Sequence, residues 1–95
     1  GRREVILESI GRHLAGIVTA PRPQGGMQVP CLLEPGWSEE DTIRRAAAAG
    51  VLLQGLSRLY AGEQRQPGWL LGYASLTAYE IEAAVLRLAN ALRKP

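Results

Sequence analysis

The sequence predicts an α+β fold, a two-layer sandwich in which a small, mostly antiparallel sheet is covered by helices. Apolar residues recur at helical spacing near both ends of the chain, and short β-branched or leucine-rich runs bounded by glycine and proline lie between them. Hydroxyl residues followed by acids mark helix starts at Ser38 and Thr77. The resulting order is helix, strand, strand, helix, strand, strand, helix. A chain of 95 residues holds one small domain and no second core.

Residues 3–14 carry Leu7, Ile10 and Leu14, with Ile6 beside them, and Gly16 ends that helix. Residues 17–20 are short and β-branched, 21–26 read as a turn, and 27–33 read as a second strand. Together they predict a hairpin. Pro30 lacks a ladder donor, so it predicts an edge position or a bulge.

Ser38, followed by Glu39, Glu40 and Asp41, is a hydroxyl cap with carboxylates at the positive end of the helix dipole. That helix is expected to stop at Gly50. Its face of Ile43, Ala46, Ala47 and Gly50 is mostly small and suits close packing on a sheet. Residues 51–54 and 70–74 read as buried strands, separated by a polar loop over 60–68, and long loops of that kind often carry function. The last helix is specified most fully. Thr77 and Glu80 form a capping box, Leu76 and Ile81 a hydrophobic staple, and Ile81, Ala84, Val85, Leu88 and Leu92 one stripe.

The composition is globular, 46% hydrophobic and 21% charged, and no apolar run approaches the ~20 residues of a membrane span. With no basic segment leading into an apolar one there is no secretory signal, and the expectation is a cytoplasmic protein with no membrane partner. The net charge of +2 comes from arginines scattered among acids, so Arg2-Arg3 and Arg44-Arg45 read as solvated helix faces and not as a nucleic-acid footprint.

Few residues offer chemistry. One cysteine, Cys31, and one histidine, His13, exclude an internal disulfide and a structural zinc set. Cys31 lies in an apolar run and reads as a small hydrophobe. His13 has no evident Ser or Cys partner, Glu39, Glu40 and Asp41 are accounted for by the helix dipole, and Lys94, the only lysine, is penultimate. Gly25-Gly26 lacks dinucleotide-cradle spacing and reads as a turn or close backbone contact. Arg58 stands apart, in Ser57-Arg58-Leu59-Tyr60 at the end of a strand. A guanidinium there can hold a carboxylate through two hydrogen bonds; a surface arginine at a strand end is the alternative reading.

The segment Pro23-Gln24-Gly25-Gly26-Met27, followed by an apolar strand, resembles the P-x-G-G-M/L segment of fold-type-I, pyridoxal-phosphate-dependent aminotransferases. His13-Leu14-Ala15-Gly16, Gly50-Val51, Ser57-Arg58-Leu59-Tyr60 and Leu70-Leu71-Gly72-Tyr73-Ala74 continue the resemblance in order, over nearly the whole chain. The Ser-Arg-x-Tyr turn and the Leu-Gly-Tyr-Ala strand are most similar to the MocR subgroup of GntR-type bacterial transcription regulators. In that subgroup a winged-helix DNA-binding head is fused to an aminotransferase-like body.

The resemblance implies that residues 1–95 are the C-terminal small domain of a longer protein, with the Schiff-base lysine and phosphate cup on a separate large domain. It implies pyridoxal phosphate in the full-length protein and none held by this fragment alone. The implied partners are that large domain, an amino-acid-like carboxylate ligand, a second full-length copy, and DNA only through an N-terminal domain outside this sequence. Arg58, Tyr60 and Ser57, with Gly25 and Gly26, are the implied ligand contacts. The arginine that binds the substrate α-carboxylate in ordinary aminotransferases falls on Leu70, and Gln28 stands where the family often has histidine. Three readings follow: an effector-sensing regulator, the small domain of an active aminotransferase, and a stand-alone α+β interaction domain.

Overall fold

The computed structural model describes residues 2–20, 28–58, 67–72 and 76–94, Arg2 and Arg58 through their backbone only. The elements are α1 (Arg2–His13), β1 (Val18–Thr19), β2 (Gln28–Leu33), α2 (Glu39–Ala48), β3 (Gln54–Gly55), a 3-10 turn (Leu56–Arg58), β4 (Gly68–Gly72) and α3 (Ala78–Arg93). The strands lie in the order β1-β2-β4-β3, every neighbouring pair antiparallel. This is the expected two-layer α+β architecture.

Alternation along the strands sets the two faces of the sheet. Val18, Val29, Cys31, Leu33, Trp69 and Leu71 are buried on one face, while Thr19, Gln28, Pro30, Leu32 and Leu70 are exposed or half-buried on the other. The helices cover the first face: Ile6, Ile10 and Leu14 from α1, Ala46 from α2, and Ile81, Val85, Leu88 and Leu92 from α3 join one core with it. Trp69, fully buried, donates its indole N–H to Thr42 Oγ1 at 2.9 Å, which fixes α2 over β4.

Helix ends follow the sequence closely. Ser38 Oγ accepts from Asp41 N at 3.0 Å. At α3, Thr77 Oγ1 accepts from Glu80 N at 3.1 Å while Glu80 Oε1 accepts from Thr77 N at 2.9 Å, completing the capping box. Arginines close the other ends: Arg45 donates to Lys94 O at 2.7 Å beyond α3, and Arg93 to the carbonyl of His13, the last residue of α1, and to that of Ala15 just past it.

Several expectations are corrected. The strand expected over 51–54 is only Gln54–Gly55. Gly50, at φ +85°, ends α2 in a Schellman motif in which Val51 N donates to Ala46 O at 2.8 Å, so Val51 completes the helix cap and Leu52 is left 85% exposed. Pro30 lies on an inner strand, opposite Leu70. Leu33 N donates to Pro67 O and Glu34 N to Ile17 O, so alternate residues of β2 face β4 and β1. Pro30 falls on the β1 side, beyond the last β1 residue, Thr19, where the described ladder needs no donor. On α2 the buried residues are Thr42 and Ala46, whereas Ala47 and Gly50 are exposed, because Thr42 turns inward to Trp69. On α1 the fully buried line is Ile6, Ile10 and Leu14, with Leu7 half-buried. The strand expected over 70–74 begins at Gly68 and is described to Gly72.

Candidate functional site

β3 ends after Gly55, which pairs with Trp69, and the chain leaves the sheet in the turn Leu56–Arg58. Continued, the ladder would set residue 56 opposite Gly68. Since Pro67 faces β2, the Gly68 N–H faces the side that β3 has vacated. A sheet donor left without a partner there costs roughly 1–3 kcal/mol.

Glu39 fills that position. Its Oε1 accepts from Gly68 N at 3.0 Å, and its Oε2 accepts from Ser57 N at 3.4 Å and from the Ser57 hydroxyl. One half-buried carboxylate on the first residue of α2 therefore binds the 3-10 turn on one side and the start of β4 on the other. Two glycines admit this arrangement. A Cβ at Gly55 would lie 2.5 Å from Glu39 Oε2, and one at Gly68 would lie 2.2 Å from the Cys31 carbonyl oxygen and 2.9 Å from Leu56 Cδ1. A cavity of about 450 Å³ opens beside the turn, lined by Glu39, Ile43, Leu53, Gln54 and Ser57 among others.

Of the residues singled out in the sequence, Ser57 is half-buried and engaged by Glu39, and Arg58 closes the turn through its backbone. The Arg58 side chain, Tyr60, Gly25 and Gly26 lie outside the described residues. Leu70 is half-buried on the sheet face away from the helices, between Pro30 and Gln54. Glu39 is the residue that sequence reasoning missed: its partners lie 18 and 29 positions away, and the helix dipole already accounted for an acid there.

Other reactive groups are used structurally. Burial pushes the Cys31 thiol up to about 12, leaving a neutral side chain whose Sγ lies 3.7 Å from Val29 O. His13 Nε2 is 3.6 Å from Glu82 Oε2, beyond hydrogen-bond length, and that carboxylate pairs with Arg12 at 2.9 Å. Lys94 is exposed just past α3. Among the described residues no cluster of His, Cys, Asp or Glu could hold a metal ion, and no helix is long and apolar enough to cross a membrane.

Comparison with solved structures defines the class of fold. The chain superposes on the α-aminoadipate aminotransferase LysN of Thermus thermophilus, solved with N-(5'-phosphopyridoxyl)-L-leucine, with TM-score 0.84 and 30% identity over 97% of this chain and 24% of that one. It matches the multiple substrate aminotransferase of Thermococcus profundus at TM-score 0.82 and 25% identity, over 97% and 23%. The Pyrococcus horikoshii kynurenine aminotransferase, at TM-score 0.83 and 24% identity over 97% and 23%, shows the same fold. No protein-family model and no curated protein matches the chain. The fold is aminotransferase-like, and the chain spans about a quarter of the length of these solved structures.

Proposed function

We propose that this chain is the small domain of a MocR-type, aminotransferase-like regulator, which closes over pyridoxal phosphate and an amino-acid-like ligand held by a separate large domain. The observation that carries the reading is an aminotransferase-like fold in which Leu70 occupies the position where the resemblance sets the carboxylate-binding arginine. A protein that senses a ligand needs a domain whose contact with it differs between open and closed states. Arg58 supplies that contact by pairing with the ligand carboxylate, with Tyr60, Ser57, Gly25 and Gly26 around it. In support, the backbone of residues 57–58 continues from Gly55, the partner of Trp69, and Ser57 is tied to Gly68, so the turn runs beside the strand that bears Leu70.

The cavity beside the turn does not fit the cofactor itself. The only lysine, Lys94, is exposed at the far end of α3, and the cavity beside the turn is bordered by Glu39, which disfavours a phosphate. The full-length protein is proposed to be a cytoplasmic homodimer that reaches DNA through another domain. A second reading, the small domain of an active aminotransferase, is favoured by the solved structures, all named as aminotransferases. A basic winged-helix segment encoded ahead of the large domain supports the regulator, and its absence supports the enzyme.

The experiment compares two probes on the cofactor-free full-length protein: N-(5'-phosphopyridoxyl)-L-leucine and its decarboxylated counterpart, N-(5'-phosphopyridoxyl)-3-methylbutylamine. Wild type is expected to prefer the carboxylate-bearing probe, and Arg58→Ala to lose about 1.5–3 kcal/mol of that preference. A loss below ~1 kcal/mol removes Arg58 from the ligand contact.

A further inference from the structure

We infer that Glu39 is a positioning residue for ligand recognition: its carboxylate sets the separation of Ser57 and Gly68 and so aims the Ser57-Arg58 turn. This deepens the function proposed above and rests on it. Gly55 pairs with Trp69, and Leu32 with Gly68, so the ladder brings Ser57 and Gly68 near one another without itself bonding the Ser57-Arg58 turn to β4. One carboxylate makes that connection by bonding Ser57 N, Ser57 Oγ and Gly68 N together, and each of these bonds is charge-assisted.

The placement is over-determined in a way that a helix-dipole role does not require. Glu40 is the next residue of the same first turn, is exposed, and satisfies the dipole equally well. Only Glu39 turns back toward the sheet, and it does so where Gly55 leaves no side chain in its way. The Gly68 N–H needs an acceptor because β3 has ended, and the Ser57 hydroxyl needs one because the turn is half-buried. A group that meets both needs transmits any displacement of α2 to the Ser57-Arg58 turn.

The test uses the same two probes on the cofactor-free full-length protein and reads the ratio of their affinities, since a merely structural defect weakens both alike. Glu39→Ala and Glu39→Gln are expected to lower the preference for the carboxylate probe at least ~3-fold, and Glu40→Ala to leave it at the wild-type value. Gly55→Ala, whose Cβ would lie 2.5 Å from Glu39 Oε2 and displace that carboxylate, touches no proposed ligand contact; it is expected to follow the Glu39 variants and decides the matter if those do not fold. If Arg58→Ala lowers the preference while the Glu39 and Gly55 variants keep it, the positioning role is wrong and the proposed function stands. If Arg58→Ala keeps the preference as well, Arg58 is not the ligand contact, and both that part of the proposed function and this inference fail.

Discussion

Two glutamates, Glu80 and Glu39, each hold a turn of this molecule, and they do so over different distances. Glu80 bonds back to Thr77, three residues away, within the first turn of α3. Glu39 reaches Ser57 and Gly68, 18 and 29 residues away, from the first turn of α2. Both sit at helix N-termini, where a carboxylate is favoured in any case. Removing Glu80 frays one helix end, whereas removing Glu39 releases a turn and the start of a strand in a different part of the chain. The same side chain in the first turn of a helix therefore serves the helix or a site according to its place: Glu80, at the third helical position, reaches back to its own cap, whereas Glu39, at the first, reaches a distant part of the chain.

Substitutions can break this comparison in graded steps. Gly68→Ala is expected to have the largest effect, because its Cβ would meet the Cys31 carbonyl oxygen at 2.2 Å and backbone cannot yield cheaply. A loss of about 3 kcal/mol is expected, read as a lower melting temperature and denaturation midpoint. Glu39→Ala follows, at about 2 kcal/mol, for the partners it leaves at Ser57 and Gly68. Thr77→Ala is smaller, at about 1 kcal/mol, because only the local cap is lost and water reaches the exposed helix end. Equal losses for Glu39→Ala and Thr77→Ala, with Glu40→Ala matching both, would reduce Glu39 to a second helix cap.

Local signals made much of the fold legible. Ser38 and the Thr77-Glu80 box mark their helices because each cap closes within three residues. The hairpin of β1 and β2 follows from spacing alone, as do Ile81, Val85, Leu88 and Leu92 of the α3 stripe, in which Ala89 is buried and the expected Ala84 is only half-buried. What stayed hidden depends on residues distant in sequence. Pro30 sits on an inner strand because β1 stops at Thr19, and the length of β1 cannot be read from Pro30. Val51 looks like a strand residue and instead completes the Schellman cap of α2. Thr42 faces the core because Trp69, far along the chain, offers it an N–H. The candidate site divides in the same way. Ser57 and Arg58 stood out by motif, whereas Glu39 carried no motif and was already accounted for by the dipole.

Hydrogen exchange at the Gly68 amide reports whether the Glu39 carboxylate holds the start of β4, comparing wild type with Glu39→Ala and taking amides in the middle of α3 as the internal reference. Loss of the only acceptor described for that N–H predicts at least ~10-fold faster exchange at Gly68, with the α3 amides unchanged. Gly68 exchanging at the wild-type rate in Glu39→Ala would contradict the account, for the carboxylate would then not hold the strand to the turn.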